Sequence, residues 1–496
     1  MKIKELFSEE ILRTAVYRKG NVAAEDVEIN GISIDSRSTN PGDIFFCIKG
    51  TSSDGHKYAQ QAVLNGAAAV VCSENISPND GALYITVADT TDELNRICNI
   101  FYGKPSEKMT IFAVTGTNGK TTIASVIKYV YSHKTPSGYM GTIGVEYGDY
   151  ARNASLTTPS QIEIHKVLSD MYDSGIRAAA IEASSHGLVQ KRVDSVDVDC
   201  AIFTQLTHEH LDYHGTVENY FEAKKLLFKN IKKDAVAVLN ADDAVSIDGL
   251  KECCSCRYVT YGIDNAADYK AEHVVLGPRY TRFILLHDGR KYDVKTNLIA
   301  RYNISNILAV IASVCEMGMS LDEIIPLLEN IPQVAGRMEV IDEGQDYHVI
   351  VDFAHTPDAF EKVFEFAQEV IGEKANVYAV FGSSGRRDTT KRPVMGRIAG
   401  RYCDEIVTTQ DDPRDEDPAE ISRQIMDGID NNSCRSSFIE RRGEAIDYII
   451  SKAKKDDMVL LLGQGRQPYV IKADNYRDPY EGDHEAARTA IRRYMK

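Results

Sequence analysis

The chain has 496 residues, with 57 Lys and Arg against 73 Asp and Glu, for a net charge of −16. That balance excludes a protein whose main partner is nucleic acid or an anionic membrane surface, while leaving room for local basic pockets that hold phosphates. A hydrophobic content of 43% beside 26% charged residues is that of a globular protein, long enough for roughly three domains.

The N-terminal stretch "MKIKELFSEEILRTAVYRKG" lacks the unbroken apolar core of a secretory signal, and no later run could span a bilayer. A cytoplasmic protein with no membrane insertion is the expectation. Residues 1–108 mix short strands with helices and end in the polar "FYGKPSEKM", which reads as a linker. Residues 109–334 alternate helical patterns with apolar strands: "IFAVTG" (111–116), "AAAIEASS" (178–185), "CAIFTQLT" (200–207) and "AVAVLN" (235–240). Such continuous apolar runs predict a mostly parallel sheet covered on both faces.

Residues 335–496 repeat that design with "HVIVDFAH" (348–355), "NVYAVFGSS" (376–384), "DEIVTTQD" (404–411) and "DMVLLLGQG" (457–465). The fold class predicted is therefore α/β in three domains, the last Rossmann-like. In open parallel sheets ligands bind beyond the carboxyl ends of the strands. That rule sets His355, residues 383–388, residues 411–414 and residues 463–467 on one rim. "VTTQDDPRDEDP" (407–418) becomes a strand-end loop with one cation, Arg414, among acids. Its first half reads as a substrate-facing loop, and Asp415 to Asp417 read as solvated acids capping the helix that follows.

Most of the ten cysteines, such as Cys47, Cys200 and Cys315, sit singly in apolar runs as small buried side chains. The cluster "CCSC" (Cys253, Cys254, Cys256) lacks the second spaced pair that a metal site needs, and reads as a thiol-rich strand edge.

"VTGTNGKTT" (114–122) is the most informative stretch. A strand runs into Gly116, Thr117, Asn118, Gly119, Lys120 and Thr121, and a helix is predicted from Thr122. Glycines let backbone N–H groups turn toward phosphate oxygens, and a helix N-terminus adds partial positive charge. Lys120 would reach the β and γ phosphates and the Thr121 hydroxyl would ligate Mg²⁺. The loop is shorter than the common phosphate loop, whose first glycine would fall on Val114. Glu182 and His210 end two other strands at the same carboxyl edge. Either alone reads as a polar strand-end residue; the shared edge makes both candidate metal ligands.

The motifs "GTNGKTT", "EASSHGLVQKRVD", "LTHEHLDYHGTVENYFEAKKLLF", "RYNISNILA", "AGRMEVI", "VDFAHTPDAF" and "RDTTKRP" follow the order and spacing of the Mur ligases, which the whole chain resembles. The segment "SIDSRSTNPGDIFFCIKGTSSDGHKYAQQAVLNGAAAVV" is similar to the UDP-binding domain of the family's tripeptide synthetases. The resemblance implies a UDP-sugar-binding domain, a central ATPase domain of phosphate-loop type and a C-terminal domain for the amino acid. It implies ATP, Mg²⁺, a UDP-N-acetylmuramoyl dipeptide and a diamino acid as partners, with a monomer expected.

Carried over residue by residue, it gives Ser36 and Arg37 the UDP end, and Thr157, Thr158, Ser184 and Arg192 the sugar and peptide. Gly116 to Thr122, Asn303, Asn306, Arg337, Asp352 and His355 would surround the nucleotide. Lys120, Glu182, His210 and Lys224 would be the catalytic and metal-binding set. Lys224, by itself one of two adjacent lysines on a helix and most simply solvated, matches the lysine that the family carbamylates into an anionic metal ligand.

The resemblance also bears on the amino acid added. Diaminopimelate enzymes carry Asp-Asn-Pro-Arg where this chain has Asp411-Asp412-Pro413-Arg414. A guanidinium forks onto the distal carboxylate that lysine lacks, so Arg414 favours diaminopimelate. Asp411 is expected to orient Arg414, and Arg387 resembles a second carboxylate-holding arginine. Three departures weigh against diaminopimelate without reversing that reading, and leave L-lysine or another diamino or dicarboxylic amino acid as the alternative. Asp412 replaces Asn, Gly463-Gln464-Gly465-Arg466-Gln467 replaces Gly-Lys-Gly-His-Glu, and "FGSSGRRD" lacks the usual Cys-Gly-Gly-Asp. A Mur-like nucleotide-binding protein without ligase activity, and a folylpolyglutamate-synthase-like ligase, are the remaining alternatives.

Overall fold

Short apolar runs bounded by Gly, Asp and Ser become strands in the computed structural model, which describes residues 1–17, 24–50, 53–78, 81–154, 156–207, 209–372, 375–430 and 433–495. Two compact units result, one of residues 1–120, 131–239 and 244–258, the other of residues 121–130, 240–243 and 259–496.

In the first unit, β1 (Val16–Tyr17), β2 (Gly31–Ser33), β3 (Asp43–Phe46), β4 (Ala69–Cys72) and β5 (Leu83–Thr86) form a sheet in the order β1-β5-β4-β3-β2. Only β1 is antiparallel. Every residue of β3 and β4 is buried, as expected where both faces are covered.

A second sheet of this unit joins β6 (Thr110–Thr115), β7 (Ser137–Gly141), β8 (Gly144–Tyr147), β9 (Tyr150–Arg152), β10 (Ala178–Glu182), β11 (Cys200–Phe203) and β12 (Val236–Asn240). Their order is β12-β11-β6-β10-β7-β8-β9, parallel up to β7 and antiparallel through the β8–β9 hairpin. The parallel register aligns Glu182 with Val114 and Phe203 with Thr115, so the loops after β6, β10 and β11 leave one edge together.

In the second unit, β13 (Arg257–Gly262) pairs in parallel with β14 (Tyr269–Leu276), which forms with β15 (Thr281–His287) and β16 (Arg290–Thr296) an antiparallel meander that the strand periodicity had not suggested. Its turn at Asp288-Gly289, both at positive φ, is the local signal, because a two-residue hairpin loop of that kind needs left-handed backbone twice.

The last sheet holds β17 (Glu339–Val340), β18 (His348–Asp352), β19 (Val377–Phe381), β20 (Glu405–Thr408), β21 (Arg435–Phe438) and β22 (Met458–Leu462), in the order β17-β18-β22-β19-β20-β21. All but β17 are parallel. Helix Pro357–Ile371 covers it with Phe360, Val363, Phe364 and Ala367, the spacing of one helical face. Thr356 caps its start, and Gly372 at φ 65° ends it. A short two-stranded ribbon, β23 (Tyr469–Ile471) with β24 (Arg477–Pro479), follows.

Several strands stop before their apolar runs do. The chain after Glu182 turns into helix Ser185–Val189 under the Ser184 cap, and after Leu462 it turns at Gly463, whose φ is +103°. The helix after the phosphate loop begins at Lys120 rather than Thr122. "CCSC" is not a strand edge: Cys253 ends helix Ile247–Cys253, Cys254 caps it, and Cys256 precedes β13. Among the described residues, no helix is long and apolar enough to cross a membrane.

Candidate nucleotide and substrate site

The loop after β6 is shaped by its glycines. Gly116 has φ +143°, and a Cβ there would stand 1.7 Å from Thr204 Oγ1; Gly119 has φ +87°. Thr204 donates to the Asn118 carbonyl at 2.6 Å, and Thr117 N–H to the Gln205 carbonyl at 2.8 Å. These bonds pin the loop to the strand-end segment after β11. Lys120 folds back over the loop, donating to the carbonyls of Gly116 (3.0 Å) and Thr117 (2.7 Å). Thr121 and Thr122 are buried in the helix that follows.

Glu182, at the end of β10, is fully buried. Its carboxylate accepts from the Tyr139 hydroxyl, from Thr142 N–H at 2.9 Å and from Thr142 Oγ1 at 3.0 Å. His210 is exposed at φ 55°, with its ring 5.0 Å from His186 and 6.1 Å from Tyr220. Lys224 is the unexpected member, because it is not solvated. Only 1% of it is exposed, and its ammonium lies 4.1 Å above the Tyr220 ring. Burial, reinforced by the Lys120 charge, pushes its pKa well below 10.5. A neutral amine is the form that adds to CO₂. Of these side chains, a hydroxyl and a carboxylate offer the oxygen donors that Mg²⁺ takes, and an imidazole adds a nitrogen donor. Tyr220 lies one helical turn before Lys224, so "YFEAKK" carries the signal for this contact in its i, i+4 spacing.

Thr158, Ser184 and Arg192 come together. Thr158 Oγ1 lies 2.7 Å from the Glu182 carbonyl and accepts from Ser184 N–H at 2.9 Å, while Arg192 donates to the Thr158 carbonyl at 2.5 Å. Thr157 Oγ1 lies 3.1 Å from Thr142 Oγ1, which ties it to the Glu182 cluster. Ser36 is buried in a short 3₁₀ turn. Arg37 is exposed and paired with Asp35, and that hydrogen bond holds the Asp35 carboxyl down at about 2. A cavity of about 430 Å³ has Asp35, Ser38, Arg152, Ser160 and Glu163 in its walls.

In the second unit, the amide of Asn303 donates to the carbonyl of Ile299, just before helix Arg301–Glu316, at 2.7 Å, and its oxygen accepts from Asn306 in the same helix at 2.8 Å. Asp352 is buried, and its carboxylate accepts from Met338 and Ala354 N–H at 2.7 and 2.8 Å. Its pKa is raised by burial, with Arg337 pulling the other way. Arg337 lies 5.0 Å over the Phe353 ring. His355 holds the Phe353 carbonyl through Nδ1 at 2.9 Å, and its own carbonyl accepts from Lys391 at 2.8 Å.

Residues 411–414 and 463–467 do share the carboxyl rim of the last sheet, but their contacts differ from expectation. Asp411 does not orient Arg414: no hydrogen bond joins them among the described residues. Asp411 is buried against Gly463 instead, where an added Cβ would stand 2.4 Å from Asp411 Oδ2. Burial raises its pKa to about 6, partly offset by Arg442. Arg442 is itself buried and paired with Asp483 at 2.6 Å, and it donates to the Leu462 carbonyl at 2.7 Å. Arg414, at φ 56°, donates its N–H to the Ile471 carbonyl at 3.0 Å; its Nε is buried without a hydrogen-bond partner.

Asp412 accepts from the Gln467 amide and from Ile471 N–H at 2.7 Å. Arg466, a cation that the replaced motif lacks, is bound to buried Glu339 through Nε at 2.8 Å and through Nη2. Arg387 is exposed and makes no hydrogen bond or ion pair among the described residues. Asp415 and Glu416 are not simply solvated, since Arg386 forks onto Asp415 at 2.7 and 2.6 Å and buried Arg392 holds Glu416 at 2.9 Å. Asp417 does cap helix Pro418–Met426.

Three α/β segments, one of them carrying a phosphate loop with an acid, an imidazole and a buried lysine near its edge, define a multidomain class of nucleotide-dependent enzyme. The chain belongs to the Mur ligase family: the family's "Mur ligase family, catalytic domain" matches residues 28–102, its "Mur ligase middle domain" residues 114–314 and its "Mur ligase, glutamate ligase domain" residues 336–465. It is 39% identical, over 96% of both chains, to a UDP-N-acetylmuramoyl-L-alanyl-D-glutamate-2,6-diaminopimelate ligase of Geobacillus thermodenitrificans. It is 40% identical to the protein of that name from Halalkalibacterium halodurans, over 89% of this chain and 90% of the other. A solved structure of a ligase of the same name superimposes with a TM-score of 0.71 and 28% identity, covering 100% of this chain and 99% of that one.

Proposed function

We propose that the protein is an ATP-dependent, ADP-forming ligase that joins meso-diaminopimelate to UDP-N-acetylmuramoyl-L-alanyl-D-glutamate in peptidoglycan precursor synthesis. The observation that carries this reading is the buried cluster at one sheet edge, with Glu182 and Lys224 beside a loop crossed by Lys120, in a chain matched end to end by diaminopimelate ligases. It acts as a cytoplasmic monomer, without nucleic acid or membrane, and its domains divide near residues 108 and 334.

The roles follow from chemistry. The loop amides from Gly116 to Thr122 and Lys120 hold the ATP phosphates, with Asn303, Asn306, Arg337, Asp352 and His355 around the rest of the nucleotide. Ser36 and Arg37 hold the UDP end; Thr157, Thr158, Ser184 and Arg192 hold the sugar and peptide. Thr121, Glu182, His210 and Lys224, as its carbamate, would hold Mg²⁺, which when bound would neutralise charge at the phosphates.

The D-glutamate side-chain carboxylate attacks the γ-phosphorus of ATP, ADP leaves, and an acyl phosphate remains. Lys120 offsets the charge that develops on the transferred oxygens. The α-amine of the incoming amino acid then attacks the acyl carbon and loses a proton, and inorganic phosphate leaves with the amide formed. Arg414 holds the distal carboxylate of diaminopimelate and Arg387 is a second arginine for substrate carboxylate, while Asp411, Asp412, Gly463 and Gln467 shape the surroundings.

The test is ATP-dependent phosphate release with the UDP-dipeptide and, separately, meso-diaminopimelate, L-lysine or L-ornithine. Turnover confined to diaminopimelate is expected. Silence with all three would overturn the ligase reading, and turnover with lysine alone would overturn the role given to Arg414.

A further inference from the structure

The "CCSC" segment is untouched by the ligase reading. Cys254 and Cys256 bring their sulfurs to 3.4 Å, close enough for one thiol to hydrogen-bond the other. Both are half-buried, and exposed Ser255 between them keeps the segment open to solvent. The segment is held firmly from both sides. Cys254 N–H donates to the Leu250 carbonyl at 3.0 Å, and the Ser255 hydroxyl donates to the Ile231 carbonyl at 2.8 Å. Cys253 is turned away, with its thiol on the Leu250 carbonyl at 3.4 Å.

We propose that Cys254 and Cys256 form a reversible dithiol–disulfide site that exchanges with small-molecule disulfides of the glutathione class. The hydrogen bond from Cys256 pulls the Cys254 thiol down to about 7, so Cys254 is the attacking thiolate, and the same bond raises its partner. Cys254 Sγ attacks one sulfur of the small disulfide, whose S–S bond breaks; one thiolate leaves and takes up a proton. Cys256, losing its proton to solvent, then attacks Cys254 Sγ and expels the second small thiol. In total the protein loses two electrons and two protons, and the small disulfide becomes two thiols.

Ring closure requires the sulfurs to approach by a further ~1.4 Å to the usual bond length. A single residue between the cysteines makes the ring small and strained, which raises its reduction potential and marks it as labile rather than structural. A zinc site fits less well. Two thiols supply half of a tetrahedral set. Among the described residues, the one group of three metal-ligating side chains within reach of one another is Asp54, His56 and Glu74, which includes no cysteine.

The experiment equilibrates the full-length protein with glutathione disulfide, alkylates the remaining thiols and maps peptides by mass. The expected result is a loss of two hydrogens on the Cys254–Cys256 peptide, reversed by dithiothreitol, with Cys253 alkylated as before. Cys256→Ser is expected to stop at one glutathione adduct on Cys254, and Cys253→Ser to behave as the parent. Full alkylation of Cys254 and Cys256 after equilibration, a lasting adduct without ring closure in the parent, or a bond that uses Cys253 would each overturn the proposal.

Discussion

The side-chain amide of Gln467 donates to both carboxylate oxygens of Asp412, at 3.1 and 3.2 Å. By the resemblance drawn from the sequence, diaminopimelate ligases place an amide and an acid at these two positions, where this chain places an acid and an amide that are bonded to each other. Gln467→Glu alone would face two carboxylates, raising the pKa of one and weakening amino-acid binding. Asp412→Asn alone removes the acid. The double variant Asp412→Asn, Gln467→Glu restores one acid and one amide, and a coupling of about 1–2 kcal/mol is expected in a cycle on the KM of the amino acid. Strictly additive effects would show that the pair does not act as a unit.

Arg414→Ala is expected to raise the KM for diaminopimelate by roughly 10- to 100-fold, the size of a lost charge-assisted contact, with little change in the KM for ATP. Equal effects on both substrates would make Arg414 a structural residue that supports the segment around Ile471.

Lys224 carries opposite predictions for stability and activity. Because its folded pKa lies well below 10.5, the folded state binds fewer protons than the unfolded chain over the range between the two values. That cost is absent above the unfolded pKa and grows as pH falls toward the folded one. Lys224→Met removes it, so at neutral pH its Tm should match or exceed that of the parent, while activity falls by on the order of 10²-fold or more. Partial recovery of Lys224→Ala by formate or acetate would tie the loss to the missing carboxylate. A marked drop in Tm for Lys224→Met would count against this account.

Asp411 gives a pH signature of the other sign. Its carboxyl titrates at about 6 when folded, against 3.8 ordinarily, so it contributes stability that is full below 3.8 and lost as pH rises through about 6. The span is worth about 3 kcal/mol. Urea unfolding of the parent and of Asp411→Asn on either side of that window should show the variant gaining on the parent as pH rises. Parallel curves would mean that Asp411 titrates normally.

The phosphate loop was legible because its physics is local: strand, glycines, lysine and helix are contiguous, and only the helix start moved by two residues. The carboxyl rim was legible for the same reason, since apolar runs mark strand ends. Pairings across the chain were not. Arg466 meets Glu339 across 127 positions and Gln467 meets Asp412 across 55, so reading each residue alone left a stray cation and a missing acid where the fold has two satisfied pairs. Lys224 misled for a related reason: burial is a property of packing, and two adjacent lysines on a helix look alike until one is enclosed.

The buried pair of Arg442 and Asp483 has a practical consequence. Asp483 opens the last helix, Asp483–Tyr494, and its carboxylate neutralises a guanidinium that also grips the end of β22. Removing that helix would strand a cation in an apolar interior beneath the strand that leads into residues 463–467. The twelve residues of that helix are thus a keystone rather than a tail. Affinity handles belong beyond Met495, and truncations before Asp483 should yield insoluble protein.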